Sequence, residues 1–252
     1  MKIIACYSNK GGVGKTASSV NLAYAMAARG QHTLLCDLDP QGASGFYFRV
    51  KPSKKLIGKD FFKDAEKFAD AIRGTDYEQL DILPANMSFK DFDIFLAQMR
   101  NGQARLSQSL SAIEEDYDVV ILDCPPTIST LSENIFQTAD AIVVPVIPTT
   151  LSQRTFEQLV TFFKQNKLPV KKLHAFFSMV QSVKTLHTET IESMRSTFKP
   201  YMMQSFIPFA SDVERMGVHQ APLMATAPGS VAGQAYAALA KEILRRVDKQ
   251  QA

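Results

Sequence analysis

The stretch Lys10-Gly11-Gly12-Val13-Gly14-Lys15-Thr16 lies between an apolar run and a helical pattern. Glycines let backbone N–H groups turn inward around an anion, and the helix that follows aims its positive end at the same point. That is the chemistry of a phosphate cradle. Lys15 neutralises the β- and γ-phosphates, the Thr16 hydroxyl ligates Mg2+, and Gly11, Gly12, Val13, Gly14 and Ala17 contribute backbone. The general pattern G-x-x-x-x-G-K-[ST] asks for glycine at position 9; this chain has Asn9 there, followed by a second lysine, Lys10. Ala17 stands where a hydroxyl that touches the α-phosphate is commoner, leaving its N–H to serve.

Two acidic signals accompany the loop. In LLCDLDPQGAS, residues 34 to 44, Asp37 and Asp39 sit two apart and point to one side of an extended chain, toward the metal and phosphate region. Asp37 either lies near the metal or holds its own loop through backbone hydrogen bonds. In VVILDCPPT, residues 119 to 127, an apolar run ends in Asp123, the usual water-mediated Mg2+ partner of a phosphate loop, and Pro125 and Pro126 stiffen the exit.

The elements that must position these residues are short apolar runs alternating with helical stretches: residues 2–7, 32–37, 80–85, 118–124, 141–146 and 173–180. Continuous apolar strands are buried on both faces. The expected fold class is therefore α/β, a mainly parallel twisted sheet with helices on both faces, in one domain over residues 1–252. A helix over 15–29 carries Val20, Ala23 and Ala27 on one stripe and closes at Gly30. Phe61, Phe62, Ala65 and Phe68 form an apolar side after the lysine-rich run 49–67, which reads as a solvated charged face or a binding patch. A last helix over 230–249 docks through Ala235, Leu239, Ile243 and Val247 and has no membrane-anchor extension. Cys6, Cys36 and Cys124 share no metal-ligand spacing and read as buried core. The N-terminal apolar run is too short for a signal peptide, and no stretch is apolar enough to span a bilayer, so a cytoplasmic location is expected. Net charge is +3, but residues 1–150 carry 15 Lys/Arg against 18 Asp/Glu while residues 151–252 carry 13 against 7, so an anionic partner for the C-terminal portion is an option.

KGGVGKT, DLDPQG and LDCPP, in this order, resemble the ParA/MinD family of deviant Walker A P-loop ATPases, most closely its ParA, Soj-like branch. The likeness extends through VVPVIPTT, Ile207-Pro208 and APGS from Ala227, nearly the whole chain. It implies a P-loop NTPase fold with ATP and Mg2+ as cofactors, a homodimer in the ATP state, and slow hydrolysis stimulated by an adaptor protein of the cargo. Lys10 then matches the signature lysine that reaches the partner subunit's phosphates, Lys15 and Thr16 keep their roles, Asp39 positions the attacking water and Asp37 lies near the metal. With Lys10, Lys15 and Asp39 catalytic, Thr16, Asp37, Asp39 and Asp123 form the metal set, and Pro208 and Phe209 contact adenine. Two ATP-Mg units face to face repel, and a lysine from each side offsets that repulsion.

The resemblance also implies non-specific, nucleoid-associated DNA binding, with Lys171, Lys172, Lys184, Arg195, Lys199, Arg215, Arg245 and Arg246 as candidates. Phe209 and Glu214 stand where ParA relatives commonly carry basic residues. The leading reading is a switch that partitions or positions a plasmid, chromosome or large complex. The alternatives are a MinD-like positioning ATPase on a membrane or protein scaffold, and an ATP-dependent metabolic enzyme on the same fold, for which no cluster-binding cysteine spacing speaks.

Overall fold

The computed structural model describes residues 1–251. Its frame is one eight-stranded sheet in the order β3-β4-β2-β5-β1-β6-β7-β8. The strands are β1 (Lys2–Cys6), β2 (Thr33–Asp37), β3 (Arg73–Gly74), β4 (Leu80–Leu83), β5 (Val119–Asp123), β6 (Ala141–Val146), β7 (Leu173–Val180) and β8 (Met202–Pro208). All neighbours pair in parallel except β3 with β4. All six apolar runs are strands; β2, β5 and β6 are buried throughout, and β1 from Ile4 onward.

β3 and β8 are the strands that the apolar runs did not announce. β3 is two residues long, and β8 is an edge strand exposed or half-buried over Gln204, Ser205 and Phe206, whose register against β7 shifts twice. Edge strands and bulges lose the continuous apolar pattern because one side meets solvent. Pro145 in the central β6 is tolerated for a local reason. β1 pairs with β6 only as far as Val143 and then turns into the glycine loop, so at Pro145 the flank that lacks an N–H faces no strand.

The helices are α1 (Lys15–Ala27), α2 (Ala43–Tyr47), α3 (Gly58–Phe61), α4 (Ala65–Asp70), α5 (Phe92–Gln98), α6 (Arg105–Ser111), α7 (Thr130–Thr138), α8 (Thr150–Gln165), α9 (Thr185–Thr197), α10 (Ser211–His219), α11 (Leu223–Thr226) and α12 (Val231–Gln251). They bury two apolar layers. One face packs Val20, Ala23 and Met26 of α1 with Leu239, Ile243 and Val247 of α12; the other packs Phe136, Phe156 and Phe163 of α7 and α8 with Cys36, Leu122 and Cys124. Phe61, Phe62 and Phe68 are buried as expected, but α3 and α4 are two short helices and Ala65 is exposed. The three cysteines are free and buried. Among the described residues no helix is long and apolar enough to cross a membrane.

The order of strands matters for function. From β1 the chain turns toward β2 on one side and, after β5, crosses to β6 on the other, so β1 sits at the switch point where open α/β sheets open a crevice at the carboxyl ends of their strands. The loop 7–14 leaves β1 there.

Candidate functional site

Gly14 caps α1 in the left-handed region at φ 87°, and Gly12 has φ 70°. The φ demands glycine, and a Cβ on Gly14 would also stand a tight 3.1 Å from Ser178 Oγ. Gly11 and Gly12 have nothing within 4 Å of a Cβ, and the N–H groups of Gly11, Gly12, Val13 and Gly14 donate to no backbone carbonyl among the described residues. The Ser18 hydroxyl donates to the Gly14 carbonyl at 2.7 Å and stiffens the loop from below.

Lys15 is buried, at 8% exposure, yet no carboxylate lies within ion-pair distance among the described residues. A buried ammonium is costly without a counter-charge. That is the test the loop passes: loop N–H groups free of backbone partners, a helix N-terminus and a buried cation outside any ion pair fit phosphate.

Below the loop lie two carboxylates. Asp37 and Asp123 are register partners on the adjacent strands β2 and β5, and both are buried. Asp123 accepts from Ser19 Oγ at 3.0 Å and Ser44 Oγ at 2.8 Å. Burial raises its pKa above the ordinary carboxylate value, partly offset by Ser44, Thr16, Ser19 and Lys15. Asp37 is raised well above that value, by burial first and then by Asp123. Its oxygens accept the backbone N–H groups of Asp39 and Ser44, each at 3.1 Å, so its first job is to hold the turn that follows β2. The two backbone bonds fit the loop-holding reading of Asp37, and its place beside Asp123 fits the metal-side one.

Asp39 lies on that turn, half-buried, with one oxygen accepting the Gln41 N–H at 3.1 Å. No group of three or more His, Cys, Asp or Glu that could hold a metal exists among the described residues. Mg2+ keeps waters and takes one or two carboxylates plus phosphate oxygens, and the Thr16 hydroxyl beside the Asp123 carboxylate is a donor set of that kind. Lys10 does not point into this pocket. Its Nζ donates to Ser152 Oγ at 3.1 Å, and Ser152 in turn shares a 3.0 Å bond with Thr149 Oγ1, the N-cap of α8.

Ser19, Ser44 and Ser152 are site residues that the sequence patterns missed. Ser19 follows Lys15 by one helical turn and Ser44 closes the DLDPQGAS stretch, but a lone serine has no period or charge to mark it. Pro208 ends β8 on the same edge of the sheet and Phe209 follows it; Phe209 is about half exposed, and its N–H donates to Val180 O at 2.9 Å.

The basic candidates do not form one patch. Lys184 and Arg215 are exposed on helices that leave the carboxyl edge of the sheet, whereas Lys171, Lys199 and Arg245 are exposed toward the opposite edge. Three are engaged within the chain. Lys172 Nζ donates to the carbonyls of Phe136 and Gln137 at the end of α7. Arg246 pairs with buried Glu242 at 3.1 Å and bonds Met202 O. Arg195 donates to Gln204 O at 3.2 Å and lies over the Phe177 ring. A different group does assemble: Arg29, just past α1, joins Lys241, Arg245 and Lys249 along a groove of about 650 Å³ that Glu242 and Asp248 also line.

Three comparisons place this geometry. A family model described as AAA domain matches residues 1–174. The sporulation initiation inhibitor protein Soj of Bacillus subtilis is 30% identical over 251 residues, covering 96% of this chain and 98% of that protein. The chromosome partitioning protein ParA of Myxococcus xanthus is 27% identical, over 96% of this chain and 88% of that one. Among solved structures, cobyrinic acid a,c-diamide synthase from Mycobacterium smegmatis with bound ATP analog and magnesium superposes with a TM-score of 0.80 at 25% identity, covering 98% of this chain and 96% of that one.

Proposed function

From membership of the ParA/MinD family of P-loop ATPases, to which this chain belongs, we propose a nucleotide-dependent switch that dimerises with ATP and partitions or positions a cargo. Its cofactors are ATP and Mg2+, like those of the M. smegmatis structure with ATP analog and magnesium. The whole of residues 1–252 serves as one ATPase domain.

The observation that carries the reading is the division of labour between two lysines. Lys15 is buried in the cradle with no carboxylate at ion-pair distance among the described residues, whereas Lys10 is held aside on Ser152 at the rim. A lysine stored at the rim contributes nothing to its own nucleotide and is free to reach a second one. The carboxyl edge of the sheet supports a face for a second copy, because Phe46, Ile128, Leu151 and Phe209 are each 44% or more exposed after β2, β5, β6 and β8.

In this mechanism the N–H groups of residues 11–17 and Lys15 would bind the triphosphate, Thr16 and Asp123 with Asp37 beside them would hold Mg2+, and Asp37 also keeps the turn that presents Asp39. Asp39 orients the attacking water, and Lys10 of each subunit offsets charge on the partner's γ-phosphate as an arginine finger does. Pro208 and Phe209 border the base. Hydrolysis is slow alone and is stimulated by an adaptor protein of the cargo, whose identity lies outside this chain.

DNA is the proposed track, bound without sequence preference, so the protein is cytoplasmic and associated with the nucleoid. The exposed Lys171, Lys184, Lys199, Arg215 and Arg245 supply cations, and the Arg29/Lys241/Arg245/Lys249 groove gathers four in one place. Lys172, Arg195 and Arg246 support the fold first, through the bonds described above. A metabolic reading has one point in its favour, the synthase name of the M. smegmatis neighbour.

The test is dimerisation and DNA retardation together. Asp39→Ala accumulates as an ATP-bound dimer in size-exclusion chromatography, and Lys10→Ala stays monomeric. ATP-Mg2+ promotes retardation of random duplex DNA at low salt and ADP abolishes it. A Lys10→Ala protein that dimerises normally with ATP, or a wild type that binds ATP and never retards DNA, refutes the corresponding half.

A further inference from the structure

Residues 50–59, VKPSKKLIGK, hold four lysines and no carboxylate within the net-negative half of the chain. Lys51, Lys54, Lys55 and Lys59 are exposed, and none is within ion-pair distance of a carboxylate among the described residues. The nearest acids in sequence are occupied: Asp60 and Asp64 are held by Lys67.

This run is braced. Asn86 Nδ2 donates to Ser53 O at 3.2 Å, and the Gly58 N–H donates to Ser88 Oγ at 2.8 Å. A Cβ on Gly58 would come within 2.5 Å of Ser88 O and 2.8 Å of the Phe95 ring, so the two backbones cross as closely as glycine allows. Leu56 is buried beneath the crossing, whereas on either side of it Ile57 is 40% and Met87 66% exposed. Lys90 is exposed just beyond.

We propose that this braced ribbon is a docking surface for an acidic amphipathic segment of a partner protein, whose apolar side covers Ile57 and Met87 and whose carboxylates meet Lys51, Lys54, Lys55, Lys59 and Lys90. An apolar centre with a cationic rim is the composition of a protein interface, where methionine adapts to its partner and charge at the rim steers encounter. Nucleic acid fits less well, because phosphates give Ile57 and Met87 nothing to cover. A bilayer fits less well too, because the apolar side chains sit on stapled backbone and Ile57 is half sunk, whereas interfacial anchors bury their apolar face about 5–10 Å deep. The surface is independent of the nucleotide reading and stands or falls separately.

The probe is a labelled helical peptide of Glu and Leu in amphipathic spacing, titrated into the full chain and followed by fluorescence anisotropy. Duplex DNA and phosphatidylserine vesicles are run in parallel. The proposal expects saturable peptide binding that weakens with salt, falls about tenfold in Lys54→Glu/Lys55→Glu as two exposed attractions become repulsions, falls several-fold in Met87→Ser, and is unchanged in Lys241→Glu. All these positions are at the surface, so unaltered melting curves confirm that the variants fold. Absence of peptide binding, binding indifferent to Lys54→Glu/Lys55→Glu or to Met87→Ser, or loss of DNA or vesicle binding in the lysine variant while the peptide is unaffected, overturns it.

Discussion

Replacing Ser152 by alanine should make this protein dimerise more readily. In the resting chain Lys10 Nζ is tied to Ser152 Oγ at 3.1 Å in a half-buried setting. A hydrogen bond to a charged group contributes about 1.5–3 kcal/mol when well buried, and a freed ammonium recovers water, so about 1 kcal/mol is a fair net value here. The binding-competent state, with Lys10 swung out, then gains about fivefold in population per subunit. A dimer in which both lysines cross needs two releases, about 2 kcal/mol together, so the ATP-dependent dimer should tighten about thirtyfold. The cap of α8 survives the change, because the backbone N–H of Ser152, not its side chain, donates to Thr149 Oγ1 at 3.4 Å. Sedimentation equilibrium with ATP-Mg2+ measures the constant, and Lys10→Ala with and without Ser152→Ala closes a double-mutant cycle in which the gain must vanish. A dimer constant that stays within twofold of wild type in Ser152→Ala, with ATP affinity intact, refutes both the storage of Lys10 and its role across the interface.

Other outcomes follow from the same geometry. Gly14→Ala places a side chain at φ 87° against Ser178 Oγ, which costs about 1–2 kcal/mol; calorimetry should show the melting point lowered by roughly 2–8 °C and nucleotide affinity reduced. Mg2+ binding should release protons, because burial raises the pKa of Asp123 and of Asp37 beside it, while the metal needs an ionised carboxylate. Titration calorimetry with ADP in two buffers of different ionisation enthalpy detects this, and affinity should rise with pH above the ordinary carboxylate value of about 4. Without metal the sign reverses for stability. A carboxyl whose folded pKa is raised stabilises the fold at low pH and loses that contribution as pH rises through the raised value, so this pair should favour the apo fold on mild acidification, read from urea midpoints. Glu242→Ala should cost about 3 kcal/mol, because the carboxylate accepts the N–H groups of Gln204 and Ser205 and pairs with Arg246; a melting point within about 2 °C of wild type contradicts this.

The glycine loop, Asp123 and the parallel core were legible because each is written in a local pattern. Left-handed turns need glycine at fixed offsets, and a strand buried on both faces needs an unbroken apolar run. β8 escaped because an edge strand answers to solvent on one side, and its shifted register is held by Glu242 and Arg195 from α12 and α9. The hydroxyls of Ser19, Ser44 and Ser152 escaped for a different reason. Their partners lie 104, 79 and 142 residues away, distances over which no spacing rule acts.

The charges show most clearly where sequence reasoning stops. Lys172 and Arg246 look like the free cations Lys171 and Arg245 beside them, yet the fold spends the first pair on helix-end carbonyls and a buried glutamate and leaves the second pair in water. Adjacent residues on a helix or turn face different surroundings, so a basic run in the sequence splits between support and surface once it is folded. The same split separates the two lysines of the phosphate loop. Gly14 turns the chain so that Lys15 begins α1 and is buried over the carboxylate pair, while Lys10, before the turn, falls against α8 and finds Ser152. Two identical side chains five residues apart thus acquire separate tasks from the left-handed glycines Gly12 and Gly14 between them. A substitution that straightened that turn would therefore disturb phosphate binding and Lys10 storage together, whereas Ser152→Ala disturbs the second alone.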